Sequence, residues 1–176
     1  HKIVTEAIGL FDINLYQIPL RHPPDACAVL SGSSDFPNLR GTVHFYQTKA
    51  GVLVVAQVDG LPMGNYPCAP DIFGFHIHEG SACEGTEADS FAAAGGHYNP
   101  YGCHHPAHSG DLPSLFGNKG SAFMVHLTDR FYVNEIIGRT VIIHISPDDF
   151  TTQPAGNSGR KIACGKIRAN SRANPC

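Results

Sequence analysis

The chain has 176 residues, enough for one domain with its own core, and its 19 glycines and 13 prolines favour short strands and long loops over helices. Its formal net charge is −3, and no basic stripe with interleaved aromatic residues indicates a nucleic-acid-binding surface. No apolar run approaches the length that a membrane-spanning helix needs.

The first half of the chain is predicted to form an irregular arm followed by strands. Residues 1–25 form the N-terminal arm, and because the chain starts at His1 without methionine we expect a preceding segment to have been removed. Runs of β-branched and aromatic residues then predict strands at 26–31, 41–48, 52–58 and 72–78.

The second half alternates long loops with strands. Residues 79–120 are rich in Gly, Ala, Pro, Asn and His and predict a loop with at most a short strand near 112–116; so long a loop is usually functional. Further elements are expected as strands at 121–128, 139–145 and 161–168, a helical turn at 134–138 and a second loop at 146–160. About eight strands and two long loops indicate an all-β fold, an antiparallel sandwich or barrel.

Six cysteines in so small a domain favour an oxidising, extracytoplasmic compartment. They lack the paired spacing of a structural zinc knuckle, although metal ligation and free thiols remain alternatives. We interpret them as up to three disulfides, whose connectivity the sequence alone does not give. The six are Cys27, Cys68, Cys83, Cys103, Cys164 and Cys176.

Six histidines and one aspartate fall in three clusters with the spacing of a binuclear metal site. His76 and His78 lie two apart on a predicted strand, so both rings project from one face, and His144 ends an apolar strand. Four more candidates lie in a loop that has no core of its own and that metal ligation would organise. They are His97, His105, His108 and Asp111. Imidazoles suit copper and zinc and a single carboxylate suits zinc, so the set predicts one ion of each.

Six short runs of the sequence resemble the copper/zinc superoxide dismutases. They are 74–79 (GFHIHE), 95–100 (GGHYNP), 108–113 (HSGDLP), 138–144 (GRTVIIH), 156–159 (GNSG) and 163–165 (ACG). The resemblance runs in unbroken order from about residue 26 to 167. It implies an eight-stranded antiparallel Greek-key barrel or sandwich with two long functional loops at 26–169, followed by a C-terminal tail at 170–176.

The resemblance also implies a role for each candidate ligand. The residues that match the copper ligands are His76, His78, His97 and His144, and those that match the zinc ligands are His97, His105, His108 and Asp111. His97 would therefore bridge both ions. We prefer His105 to its neighbour His104, because the bacterial-type pattern His-Pro-x-His-x-Gly-Asp then extends to Asp111.

Three further residues match known family positions. Asp148 matches the aspartate that links a zinc histidine to a copper histidine, and Cys83 and Cys164 match the family disulfide. Cys27 and Cys176 lie near the first and last strands, which are neighbours in this fold. The remaining pairings that we expect are Cys27 with Cys176 and Cys68 with Cys103.

The chain departs from the family at its anion-binding position. Lys161 replaces an arginine there, with Arg160 beside it, and lysine keeps the charge but loses the planar fork that holds a small anion. We expect His97, Lys161 and His144 to be catalytic, with turnover below the family's best, and a positively charged approach for the anionic substrate. Lys166 puts a charge where eukaryotic members have apolar dimer contacts, so any homodimer would not use that interface.

The activity implied is that of a superoxide dismutase. It converts superoxide to dioxygen and hydrogen peroxide by Cu(II)/Cu(I) cycling, with His97 bridging copper and zinc. The alternative is a dismutase-like copper- and zinc-binding protein with little turnover, which would buffer copper or have a structural role. Superoxide is the expected small-molecule partner, and no nucleic acid or membrane span is expected.

Overall fold

The structure is a computed structural model that describes residues 14–65 and 67–176. Strands dominate it, with bounds β1 (Ala26–Gly32), β2 (Arg40–Thr48), β3 (Gly51–Asp59), β4 (Ile72–Phe73), β5 (Phe75–His78), β6 (Leu115–Phe116), β7 (Ser121–Thr128), β8 (Thr140–His144) and β9 (Lys161–Ala169). The helices are single turns, α1 (Ile18–Arg21) and α2 (Val133–Ile136), with 3-10 turns at Leu15–Gln17 and Ala92–Ala94.

Seven strands form one antiparallel sheet in the order β5-β8-β9-β1-β2-β3-β7, and β4 pairs with β6. The first strand, β1, lies between β2 and the last strand, β9, so the two ends of the domain are neighbours. The sheet curls around a core that includes Phe45, Val54, Phe75 and Ile143, which are fully buried. These observations confirm the prediction of an all-β antiparallel Greek-key fold.

One predicted strand, 72–78, is wrong as a continuous element, because it is divided at Gly74. The Gly74 amide donates to the Ser146 carbonyl, and its carbonyl accepts from the His144 amide, both at 2.8 Å, while β4 turns away to β6. A Cβ at position 74 would lie 2.7 Å from Ser158 Oγ and 3.2 Å from His144 Cβ. The close approach of the second loop to β8 therefore requires glycine at this point.

The predicted N-terminal arm falls only partly within the described residues. Residues 1–13 lie outside them, and residues 14–25 include α1 rather than being wholly irregular. The Asn170 amide donates to the Pro24 carbonyl at 2.8 Å, which fastens the end of the arm beside β9. No helix among the described residues combines the length and the apolar character needed to cross a membrane.

Two disulfides are present. Cys27–Cys176 joins β1 to the C-terminal tail, and Cys83–Cys164 joins the loop after β5 to β9. The expected pairing of Cys68 with Cys103 is wrong, because both are exposed free thiols. They lie on different loops, after β3 and after β5, and strand alternation carries no information about which loops meet.

Candidate metal centre

Three of the candidate histidines lie on one face of two paired strands. Along β5, Phe75 and Ile77 enter the core, so His76 and His78 point to the opposite face. β8 pairs with β5, and His144 ends it, on that same face of the sheet. All three histidines are at most 4% exposed, because the loops at 79–114 and 145–160 cover this face.

The first group consists of four histidines, each with one ring nitrogen within 4.8 Å of the others: His76, His78, His97 and His144. His78 Nδ1 donates to the Gly95 carbonyl at 2.8 Å, and His144 Nδ1 to the Gly159 carbonyl at 2.9 Å. A carbonyl only accepts hydrogen bonds, so in the neutral rings both Nε2 atoms carry lone pairs. These two Nε2 atoms lie 3.2 Å apart, and two facing lone pairs repel unless a cation lies beside them.

Asp148 fixes the orientation of one histidine in each group. Its carboxylate accepts from His76 Nε2 at 2.7 Å and from His105 Nε2 at 2.8 Å. The Nδ1 atoms of both rings are buried without a hydrogen-bond partner. His105 Nδ1 does lie 3.1 Å from the Asp111 carboxylate, but without the geometry of a hydrogen bond. Both Nδ1 lone pairs are therefore available to a metal ion.

The second loop packs closely against this carboxylate at Gly156. Its φ is +64°, and a Cβ there would fall 2.0 Å from Asp148 Oδ1 and 2.7 Å from His105 Nε2. Only glycine combines this backbone conformation with this contact. The run at 156–159 therefore encloses the hydrogen bonds that hold His76 and His105.

The second group adds a carboxylate to three histidines; its members are His97, His105, His108 and Asp111, again within 4.8 Å. Asp111 Oδ1 lies 2.8 Å from His97 Nδ1 and 3.4 Å from His108 Nδ1. The Nδ1 atoms of His97 and His108 are 3.5 Å apart. Three imidazoles and one carboxylate suit a four-coordinate zinc ion.

His97 belongs to both groups. Its Nδ1 faces Asp111, whereas its Nε2 is buried without a hydrogen-bond partner. The ring lies 3.9 Å, centroid to centroid, from the ring of His76 in the first group. One imidazole thus presents a different nitrogen to each group, which is the arrangement that a bridge between two ions needs.

Burial favours the neutral form of the His78 and His144 rings. It lowers the pKa of His144 to about 3, and burial together with the neighbouring His144 and His97 lowers that of His78 well below its usual range. Burial alone would raise the pKa of Asp148, but hydrogen bonds from His76, the Phe150 amide and His105 lower it to about 2. At neutral pH the rings of His78 and His144 are therefore neutral and Asp148 is ionised, which leaves the lone pairs of these two rings available to a metal ion.

The expected anion-binding cation, Lys161, lies beside the first group. Ile143 pairs with Ala163 whereas His144 pairs with Lys161, so a bulge at this point sets Lys161 opposite His144. Arg160 lies further out, over the ring of Phe36 and paired with Asp35. His104 is exposed and belongs to neither group.

A cavity of about 1260 Å³ opens onto His78, His97 and His144. Charged residues also line it: Asp35, Glu79, Glu87, Asp89, Arg160 and Lys161. Carboxylates outnumber cations, so the expected positively charged approach is wrong for the described lining. The reason is the loop at 79–114, which contributes three of the four acids.

Asp89 is a lining residue that the sequence did not single out. Its Oδ2 lies 2.6 Å from Lys161 Nζ. It belongs to no motif and stands 72 positions from its partner, so no local signal identifies it.

Comparisons with known proteins agree with this geometry. The family described as copper/zinc superoxide dismutase (SODC) matches residues 39–167. A Cu-Zn superoxide dismutase 2 of Aquifex aeolicus is 34% identical over 143 residues, which cover 73% of this chain and 78% of that protein. An extracellular Cu-Zn superoxide dismutase of Brugia pahangi is 28% identical over 161 residues, 81% and 75% of the two chains.

The fold has a matching solved structure. Cu/Zn superoxide dismutase from Brucella abortus superposes with a TM-score of 0.67 at 26% identity, covering 80% of this chain and 98% of that one. Residues 39–167 include His76, His97 and His144 and every other member of the two groups. The chain belongs to the copper/zinc superoxide dismutase family.

Proposed function

We propose that this chain converts superoxide to dioxygen and hydrogen peroxide at a centre that holds one copper and one zinc ion. The observation that carries the proposal is the pair of four-residue groups that share His97. The residues fit the ions, because buried ring nitrogens of His76, His97 and His105 have no hydrogen-bond partner among the described residues. Family membership supports the same reaction.

The donor sets assign an ion to each group. Copper would be held by the all-imidazole group: His76, His78, His97 and His144. Zinc would be held by the group that contains the carboxylate: His97, His105, His108 and Asp111. When bound, copper supplies one-electron redox chemistry, and redox-inert zinc holds His97 and makes its ring more acidic.

Within the protein, His97 is the residue that we assign to proton transfer. Its ring is held through Nδ1, 2.8 Å from Asp111, so Nε2 is the nitrogen free to change its protonation state. Nε2 would take up a proton in one half of the cycle and donate it to the departing peroxide in the other. Water supplies the second proton.

Lys161 and His144 complete the proposed catalytic set. Lys161 lies opposite His144 across the β8–β9 pairing and lines the cavity with it. Its ammonium would attract the superoxide anion towards the first group. Asp148 supports the set by orienting His76 and His105.

We also propose that the protein is extracytoplasmic and that any homodimer does not use the eukaryotic-type interface. Two disulfides and the extracellular relative from Brugia pahangi support an oxidising compartment. Lys166 is exposed on β9, which argues against a homodimer through the eukaryotic-type interface. The catalytic domain would be residues 26–169, with the arm and tail as attachments.

The deciding experiment measures metal content per chain and the superoxide consumption of protein loaded with both metals. Equimolar copper and zinc with rapid dismutation is the expected result. The acid-rich cavity lining is what favours the alternative, a copper- and zinc-binding protein with little turnover. Full loading with negligible dismutation would overturn the enzyme proposal and favour that alternative.

A further inference from the structure

Lys161 pairs with His144 of the first group across β8 and β9, and its ammonium already forms an ion pair with an acid. Its Nζ lies 2.6 Å from Asp89 Oδ2; the Lys161 side chain is 15% exposed and the Asp89 side chain 41%. Because the lysine side of this pair is mostly shielded from water, salt screens it less than a pair whose two side chains are both fully exposed. The Lys161 ammonium is therefore not freely available to an incoming anion.

Asp89 is held in place independently of Lys161. Its Oδ1 accepts from the Phe91 amide at 3.1 Å, and its carbonyl accepts from the amides of Thr86 and Ala92. Phe91 is buried in a small cluster with Ile142 and Cys164, and the Cys83–Cys164 disulfide fastens the same loop to β9. The carboxylate is thus fixed by the loop, and the flexible lysine comes to it.

The other cation in the described lining, Arg160, does not supply a free positive charge in place of Lys161. Arg160 is paired with Asp35 at the rim, so each of the two cations in the described lining is matched by a carboxylate. Glu79 and Glu87 add two further negative charges. A small anion approaching His144 meets a cavity whose lining carries more negative than positive charge.

We propose that Asp89 restricts anion access to the first group by holding the Lys161 ammonium in an ion pair, so that substrate must compete with a carboxylate for this cation. Asp89 is a positioning residue, because it acts through Lys161. The inference rests on the proposed function in placing copper at the first group and in naming superoxide as the anion. It explains in physical terms how this chain would restrain the rate at which its substrate arrives.

Asp89→Asn in the holoenzyme tests the proposal. Asparagine keeps an oxygen that can accept from the Phe91 amide but cannot neutralise Lys161. We expect kcat/KM for superoxide to rise about 3- to 10-fold at low ionic strength and to fall more steeply as salt is added. The Kd of azide, a small anion followed by its optical change on the copper-loaded protein, should fall by a similar factor.

Matched variants separate the ion pair from general charge. Glu87→Gln removes one negative charge from the same lining but leaves the Asp89–Lys161 pair, and it should change either value less than about twofold. Asp89→Glu keeps the negative charge, so kcat/KM for superoxide and the Kd of azide should stay close to their wild-type values. In a Lys161→Gln background, Asp89→Asn should give no more than the Glu87→Gln effect.

Equal effects of Asp89→Asn and Glu87→Gln, at wild-type copper content, would overturn the proposal. Asp89→Ser, whose hydroxyl also accepts from the Phe91 amide, repeats the test if the asparagine variant folds poorly. Azide affinity is measured without turnover, so it tests this inference even in a protein that does not dismutate superoxide. An inactive wild-type protein would instead count against the proposed function alone.

Discussion

Asp148 connects the two groups through one carboxylate, and this connection depends on its charge. Each oxygen accepts an N–H, from His76 and from His105, which leaves the lone pair of each ring on Nδ1. An amide has only one accepting atom, so it can hold only one of the two rings in this tautomer. A single side chain therefore fixes the tautomer of one histidine in each metal-binding group.

Asp148→Asn should weaken binding of at least one ion by about 10- to 100-fold, because one ring loses the partner that fixes its tautomer. Competitive chelator titrations of copper and zinc measure this. Asp149→Asn is the matched control, since Asp149 is exposed and its side chain bonds only to Thr151 and Thr152 among the described residues. Equal affinities in Asp148→Asn and wild type would contradict the assignment.

His144→Ala should abolish dismutation while zinc stays bound. His144 belongs only to the first group, and all four members of the second remain. Metal analysis after dialysis, combined with a dismutation assay, gives the outcome. Loss of both metals together would show that the two positions are not separable.

At the scale of elements, the loop between β5 and β6 is held in place by contacts with other parts of the fold. It carries the whole second group: His97, His105, His108 and Asp111. Within it, Phe91 and Ala94 pack with Cys164 and Ile142 on the strands, and the disulfide at Cys83 holds them together. The loop is therefore stabilised by one covalent bond, by this small apolar cluster, by Tyr98 and Leu112 in the main core, and by its ligands.

Replacing Cys83 and Cys164 with serine should lower the free energy of unfolding by about 4 kcal/mol, since the bond closes a loop of 81 residues. Zinc affinity should fall about tenfold or more, because binding must then order the loop. Urea titration and chelator competition measure the two effects. As a control, serine at Cys27 and Cys176, which join β1 to the tail, should leave zinc affinity unchanged. An unchanged zinc affinity in the Cys83 and Cys164 variant would refute the argument.

At the scale of the whole molecule, burying many neutral imidazoles ties stability to pH. The pKa of His144 is about 3 in the fold, against about 6.5 in an unfolded chain. Between these values the unfolded chain binds a proton that the folded chain does not. His144 therefore does not reduce the free energy of unfolding above pH 6.5, and it reduces that free energy progressively as pH falls from 6.5 towards 3.

Metal-free protein should accordingly lose about 2 kcal/mol of unfolding free energy between pH 7.5 and pH 5 from His144 alone. The lowered pKa of His78 acts in the same direction. Urea denaturation of EDTA-dialysed protein at the two pH values measures the loss. His144→Gln should show a smaller pH dependence, and an equal free energy of unfolding at both pH values would contradict the prediction.

Much of the fold follows from short-range patterns. The predicted strands at 121–128 and 52–58 agree closely with β7 and β3, and the interval between His76 and His78 put both rings on one face. The division of 72–78 at Gly74 escaped prediction, because its cause is a contact with Ser158 on a distant loop. Cys68 and Cys103 escaped for a similar reason, since loop positions are set by long-range packing.

The amino-acid sequence by itself determined the all-β class, the residue types available for two metal ions and the family to which they point. Its motif pattern also favoured His105 over His104, and His105 is the one that lies in the second group. Only the tertiary structure decided that a bulge sets Lys161 opposite His144. It also decided that Asp89 forms an ion pair with that lysine. The physical reason is that local periodicity fixes which face of a strand a side chain takes, whereas a charge pair across 72 residues exists only once the loops have packed.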